Sequence, residues 1–298
     1  MKILAVIVNH NSAALAAAAC ASLRACRDDG ADILVVDNSL NAEERSRLEH
    51  LLPEERKIFL DSNDGYGAAC NHGIAIAEVE EYDVTFILNP DVVVAPDFLK
   101  ILRRRHRGET TVLCPAICSD PAMTELEGIG STIDLATGRH RLVGAGLHPD
   151  YVNAPANDEM LPLGTAMWVP TAIWKKAGRF DETLFAYFED ADFGLRARAL
   201  GIDFQPVFEA RLFHYGAASF GGKTSPDRIY YAVRNHLEIV RRHGRGDGLL
   251  QPPARWRIIA LNALYFMLSG VFDRAAAKAF GQAVRDFKAG GLGRRNIS

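Results

Sequence analysis

The chain has 298 residues, 48% hydrophobic and 24% charged, with a formal net charge of −3. That length and apolar content allow one large folded unit, with or without an appendage. The charge balance supplies no global basic field, so nucleic acid is not expected as a partner. The cysteines (Cys20, Cys26, Cys70, Cys114, Cys118) are odd in number. Cys114 and Cys118 have no second pair to complete a zinc site, so buried free thiols are expected. The apolar run in MKILAVIVNHN is too short for a signal peptide, and no stretch reaches the length of a bilayer-spanning helix. A cytoplasmic location follows as an expectation.

Residues 2–8 form a continuous Ile- and Val-rich run, the pattern of a strand covered on both faces. Ser12 is placed to cap an alanine-rich helix reaching about Cys26. Residues 32–36 repeat the strand pattern, 43–52 read as a helix stopped at Pro53, and 57–60 as a third strand. A helix over 68–79, a strand over 83–88, a helix from Pro96 to about Arg105 and a strand over 111–117 continue the alternation. This predicts an α/β fold around a mostly parallel, doubly wound sheet. Ligands of such sheets bind beyond the carboxyl ends of the strands. Polar residues gather there: Asn9 and Asn11, then Asp37 and Asn38, then residues 62–71, then Asn89-Pro90-Asp91.

After Ser119 the alternation breaks. Residues 125–143 read as a hairpin turning at Thr137-Gly138, and 148–157 as a Pro- and Asn-rich loop. The apolar segment 161–169 contains Gly164 and Thr165, and glycine in a strand marks a close approach. A short helix over 170–177 ends at Gly178. The aromatic run FAYFEDAD then leads into Glu189, Asp190 and Asp192 at the start of a helix with Phe193, Ala197 and Leu200 on one side. A helix N-terminus favours ionised acids, whereas a dry aromatic wall opposes ionisation, and a carboxylate held between the two suits a general base. The plainer alternative is an acidic first turn on a surface helix. A short strand over 202–208 leads on to His214. Residues 216–226 read as a loop, 229–242 as a helix and 244–253 as a linker.

VIVNHN, LVVDN, SNDGYGAACNHGI, FILNPDV, GTAMWVP and FAYFEDADFGLRARALG occur in that order. The set resembles the family 2, GT-A fold inverting glycosyltransferases, especially their bacterial rhamnosyltransferase-like branch, over residues 3–242. The resemblance implies a GT-A central sheet with flanking helices. It implies a nucleotide-sugar site in which Asp37 meets the nucleoside and Asn63, Gly65 and Asn71 lie near the ribose and diphosphate, with Asn9, Asn11, Asn89 and Asp91 alongside. Asp91 matches the last position of the metal-binding acid motif, whose first position here is Asn89, and His214 matches a histidine of the metal shell. The implied cofactor is Mg²⁺ or Mn²⁺. Asp190 matches the catalytic base. Glu189 would orient it or bind acceptor hydroxyls together with Gly164, Thr165 and Trp168. Trp168 read alone is equally a core tryptophan, and His214 a strand-end histidine bonded to backbone. Arg228 and Arg234 either meet phosphates or are solvated helix residues.

The expected activity is transfer of L-rhamnose from dTDP-β-L-rhamnose to a glycan or polyprenyl-diphosphate-linked acceptor of cell-surface polysaccharide. The alternatives are a UDP-sugar donor (galactofuranose or a hexose) and a non-catalytic sugar-nucleotide or glycan-binding protein. The expected division is a transferase domain over 1–246, with donor half about 1–118 and acceptor half about 119–246, followed by a helical segment over 247–298. The apolar stretch 258–271 is flanked by Arg255, Trp256, Arg257, Arg274 and Lys278, with Lys288, Arg294 and Arg295 beyond. Residues 255–295 then either lie on the inner membrane surface or pack on the catalytic domain or a second subunit as a homodimer.

Overall fold

Every residue of β1 (Ile3–Asn9) is buried. Ile3, Ala5 and Ile7 pack with Ala13, Ala16 and Ala19 of α1 (Ala13–Arg24), whereas Leu4, Val6 and Val8 pack with Ala69, Ile74 and Ala77 of α3 (Tyr66–Val79). The unbroken apolar run is thus the sequence form of a strand with helices on both faces. The small residues let the helices approach closely: a Cβ on Gly73 would stand 2.4 Å from a Val6 methyl. The computed structural model describes residues 1–26, 30–151, 159–216, 225–244, 252–268 and 273–295.

The remaining elements of the first half are β2 (Asp32–Asp37), α2 (Ala42–Leu51), β3 (Arg56–Phe59), β4 (Val84–Leu88), β5 (Val92–Val94), α4 (Phe98–Arg105) and β6 (Thr111–Cys118). The second half contains β7 (Leu126–Gly128), β8 (Ser131–Asp134), β9 (Arg139–Leu142), β10 (Ala166–Pro170), α5 (Thr171–Ala177), α6 (Glu189–Ala199), β11 (Asp203–His214) and α7 (Pro226–His243). The sheet runs β3-β2-β1-β4-β10-β6-β11-β5, with β7 pairing β6. β1 to β4, β6 and β11 point one way, while β10, β5 and β7 run antiparallel to their neighbours. The mostly parallel α/β sheet expected from the alternation is therefore present, and β8 and β9 form the hairpin expected around Thr137-Gly138. All five cysteines are buried free thiols.

Four expectations are corrected. Ser12 makes no side-chain cap; its hydroxyl donates to Asn9 Oδ1 (3.0 Å), and the Ala13 N–H is taken by Glu44 Oε1 at 2.6 Å instead. β5 has only three residues between prolines, too few for a period, and was not expected. β11 continues past Phe208 to His214, through a register shift between Val207 and Arg211. Leu200 is exposed rather than on the buried side of α6, being the residue that closes that helix.

α8 (Pro252–Leu268) and α9 (Arg274–Lys288) pack on α7, where Ile258, Phe266, Ala276, Ala279 and Ala283 share a core with Ile229, Val233 and Leu237. The other face of α8 leaves Trp256, Tyr265, Met267 and Leu268 more than half exposed. Among the described residues no helix is long and apolar enough to cross a membrane. Most of the expected 216–226 loop and 244–253 linker, and the ends of the 148–157 loop and 258–271 helix, lie outside the described residues.

Candidate active site

A cavity of about 560 Å³ opens beyond the carboxyl ends of β1, β2 and β4, where the strand order reverses around β1. Pairing across the sheet assembles its polar wall. β10 runs antiparallel to β4, with Ala166 opposite Leu88, so the Asn89 N–H reaches the Thr165 carbonyl at 2.9 Å and Gly164 sits at the cavity. On the far edge, β5 pairs with β11 so that His214 lies opposite Val92, and the Tyr215 N–H donates to the Asp91 carbonyl at 2.9 Å. The short strand missed in the sequence is what brings His214 to Asp91.

The carboxylates at the start of α6 are delivered by a strained approach. Phe185, Tyr187 and Phe188 have φ of 65°, 65° and 71°, in the left-handed region that bulky residues avoid at a cost of about 1–3 kcal/mol each. α7 holds them there. Asn235 Nδ2 lies 2.9, 2.7 and 2.8 Å from the carbonyls of Leu184, Ala186 and Tyr187. Arg234 donates to the Leu184 carbonyl (2.9 Å), Phe185 stacks on Tyr231 and Phe188 on His236. The loop before α3 docks on the same segment. Gly65 has φ +105°, a Cβ there would stand 2.0 Å from the Phe185 carbonyl, and the Tyr66 N–H donates to that carbonyl at 2.8 Å.

Asp190 receives two backbone donors, from Gly164 N–H to Oδ2 (2.7 Å) and from Ala191 N–H to Oδ1 (2.7 Å). Burial raises its pKa above the usual carboxylate range, and these N–H groups work against that rise. Glu189 is buried, and its Oε2 has no hydrogen-bond partner. Burial first, and the adjacent Asp190 charge second, push its pKa strongly upward. The pair therefore titrates as a unit, and its donors are unequal: Asp190 has two backbone N–H groups that favour its charged form, whereas Glu189 Oε2 has none. Tyr66 extends the network by donating its hydroxyl to the Gly164 carbonyl at 2.9 Å.

At the other wall, His214 Nδ1 lies 2.7 Å from Glu127 Oε2 and Nε2 lies 3.3 Å from Asp91 Oδ1. Burial acts to lower the imidazole pKa, but the two carboxylates outweigh it and lift it to about 9. Asp91 is buried and its Oδ1 has no hydrogen-bond partner. Among the described residues there is no group of three or more His, Cys, Asp or Glu side chains set to hold a metal ion. Asp91 and His214 instead offer one hard oxygen and one imidazole at an open wall, a donor set compatible with a divalent cation that keeps water or phosphate ligands.

The cavity thus brings together Asn63, Gly65, Asn89, Asp91, Gly164, Thr165, Glu189, Asp190 and His214 from the sequence-selected residues. Seven others are elsewhere. Asn9 and Asp37 are enclosed behind the wall, where Asn9 Nδ2 donates to Asp37 Oδ1 (2.9 Å) and Arg45 Nε stands 3.6 Å from Asp37 Oδ2. Asn71 is consumed by the Phe180 backbone and Glu182. Asn11 lines a separate depression between α1 and α2. Trp168 is fully buried against Phe86, with its indole N–H directed to His106, so the core alternative holds and it forms no acceptor wall. Arg234 is likewise a buried structural residue, not a solvated or phosphate-facing one. Asp192 is neutralised by Arg196 and His243, at 2.7 and 2.8 Å, away from the cavity.

Sequence reading missed Glu127, Tyr66, Asn235, Arg294 and Arg295. Glu127 sits in a three-residue strand with no period, and the two arginines reach the cavity only because the chain returns to it after α9. Asn235 carried one signal, an amide on the apolar side of a helical pattern.

Residues 4–148 match the family model described as Glycosyl transferase family 2. The low-salt glycan biosynthesis hexosyltransferase Agl10 of Haloferax volcanii is 25% identical over 222 residues, covering 70% of this chain and 66% of that protein. The chain therefore spans just under two thirds of this curated relative. Among solved structures, the mannosyltransferase PcManGT from Pyrobaculum calidifontis, in complex with GDP-Man and Mn²⁺, superposes with a TM-score of 0.55 at 12% identity, over 97% of this chain and 76% of that one. GalNAc-T7 with UDP, GalNAc and Mn²⁺ gives 0.59 at 13%, over 97% and 58% of the two chains. S. aureus TarS 1-349 in complex with UDP-GlcNAc gives 0.53 at 14%, over 100% and 95%. At such identities the structural likeness concerns the fold. Residues 4–148 are accordingly similar to the glycosyl transferase family 2 domain, within a chain that has the mixed α/β fold of its GT-A neighbours.

Proposed function

We propose that this protein is an inverting glycosyltransferase that moves L-rhamnose from dTDP-β-L-rhamnose to a glycan or polyprenyl-diphosphate-linked acceptor of O-antigen or cell-wall polysaccharide. The observation that carries the reading is the placement of Asp190, held by two backbone donors at a helix N-terminus and opening on the same cavity as Asp91 and His214. Asp190 takes the proton of an acceptor hydroxyl as that oxygen attacks the anomeric carbon from the face opposite the nucleotide. The new glycosidic C–O bond forms as the bond to the diphosphate breaks, the nucleoside diphosphate leaves with the electron pair, and configuration inverts. Protonated Glu189 donates a hydrogen bond to acceptor hydroxyls beside the base. Asn38, Asn63 and Gly65 line the nucleotide side. Asp91 and His214 would hold Mg²⁺ or Mn²⁺, which when bound would neutralise charge on the departing diphosphate.

Residues 1–246 would form the transferase unit, with a donor half to about 118, and 247–298 its helical appendage. The exposed apolar side of α8, with Arg257 near its start and Lys288 over the Trp256 ring, suits contact with an anionic membrane surface where a lipid-linked acceptor is presented. A hexosyl donor such as a UDP-hexose is the second reading, favoured by the hexosyltransferase description of the Haloferax relative. A binding screen of dTDP- and UDP-sugars with Mn²⁺ or Mg²⁺ tests the donor. Tighter binding of dTDP-rhamnose than of UDP-glucose is expected, and the reverse order selects the second reading.

A further inference from the structure

The cavity is polarised. Asp91, Glu127, Glu189 and Asp190 stand on the sheet and at the start of α6, whereas three arginines and one acid, Asp227, line the wall made by α7 and the chain after α9. Arg295 is committed to that wall: its guanidinium is 2.7 Å from Asp227 and 2.9 Å from Gln282, and its backbone N–H donates to the Tyr231 hydroxyl at 2.7 Å. Arg228, in the first turn of α7, and Arg294 have no acidic or carbonyl partner among the described residues. The backbone presenting Arg294 is fixed just before it, since Arg234 donates to the Gly293 carbonyl at 2.6 Å and the Gly293 N–H donates to the Thr183 carbonyl at 2.6 Å. Arg234 and Thr183 also border the loop leading to Asp190, so the tail and the base are held by one scaffold. Arg228 acts on that loop too. Burial pushes the Tyr187 phenol up to about 12, and the Arg228 charge pulls the other way.

We infer that Arg228 and Arg294 form an anion subsite for a phosphate or diphosphate on the acceptor. This rests on the transferase reading and narrows its acceptor class. Two guanidiniums without an acidic or carbonyl partner among the described residues, beside a cavity lined by the Asp190 carboxylate, match an anion that is part of the acceptor, because planar, multi-donor arginines favour phosphate oxygens. The donor diphosphate is the other source of the same chemistry, but the Asp91–His214 pair that would serve it stands on the sheet, at β5 and β11. The arginines belong to other elements, α7 and the chain after α9, together with Tyr231.

The test uses the full chain saturated with dTDP and Mn²⁺, so that the donor side is filled, and titrates farnesyl diphosphate, with farnesol as the uncharged control. Arg228→Gln and Arg294→Gln, singly and together, are compared with Arg285→Gln, which removes an exposed charge from α9 remote from the cavity lining. A charge-assisted contact is worth more than about 1.4 kcal/mol, so each cavity substitution weakens farnesyl diphosphate binding about tenfold or more. Arg285→Gln leaves it within about twofold, as do both cavity substitutions for dTDP binding measured alone. Unchanged farnesyl diphosphate affinity in the double variant overturns the subsite. Loss of dTDP affinity with retained farnesyl diphosphate binding also overturns it, by assigning the arginines to the donor. If the wild-type chain binds nucleotide sugars but not farnesyl diphosphate, this inference alone falls; binding of no nucleotide sugar removes the transferase reading itself.

Discussion

Gly164 donates its backbone N–H to Asp190 Oδ2 at 2.7 Å, while the neighbouring Glu189 leaves Oε2 without a partner. Two adjacent acids of similar intrinsic strength are thereby given unequal surroundings, one favouring the charged form and the other the protonated form. A Cβ at position 164 would stand 3.3 Å from that same oxygen, so glycine is what lets the donor approach. The split of roles is therefore built by the turn before β10 as much as by α6.

This separation has a pH signature in stability. Burial and the Asp190 charge raise the Glu189 pKa in the folded chain, whereas the unfolded chain has the ordinary value of about 4.3. Between those two values the folded state holds a proton that the unfolded state has released, so the contribution is greatest below the ordinary value and declines as pH rises toward the raised one. Urea midpoints from pH 4 to pH 9 should fall less steeply with pH in Glu189→Gln than in the wild type. Parallel curves would place Glu189 in water-like surroundings.

The left-handed run at Phe185, Tyr187 and Phe188 depends on the Asn235 amide, which bridges three carbonyls. Asn235→Ala leaves buried carbonyls short of a donor and should destabilise the fold by about 2–4 kcal/mol, read by urea denaturation. The surviving folded fraction should also lose transfer rate, since the segment that aims Asp190 is released. Asn235→Asp, which accepts rather than donates, should not rescue it.

Glu127 faces the imidazole nitrogen of His214 directed away from Asp91. Outer carboxylates of this kind orient a ligating histidine, and their loss costs about 10–100-fold in metal affinity. Glu127→Gln should weaken Mn²⁺ binding in that range, measured by the free-ion paramagnetic resonance signal. His214→Ala should weaken it further.

The first half of the fold was readable because strands buried on both faces make largely apolar runs; β1 and β4 are buried at every residue and β2 at every residue after Asp32. β5 and the extension of β11 escaped notice since pairing, not local pattern, makes them strands. The acids of α6 were conspicuous next to an aromatic run. Asn9 and Asn71 were equally conspicuous as polar residues at a strand end and in a helix, yet they face protein partners, and Asp37 gives Oδ1 to Asn9 while its buried Oδ2 has only Arg45 nearby, at 3.6 Å. Type and position identify a polar residue, but only the packing around it decides whether its atoms are already spent. Arg294 had no local signal, because its place at the cavity depends on a chain return fixed by Arg234.

The most direct measurement is nucleoside diphosphate release with and without acceptor by Asp190→Asn, alongside its affinity for the nucleotide sugar. An amide keeps the shape and can still accept from Gly164, but it cannot take a proton. Donor affinity should stay near wild type while transfer falls on the order of 10²–10⁴-fold, the usual range for a general base. Turnover comparable to wild type in that variant would contradict the general-base role of Asp190.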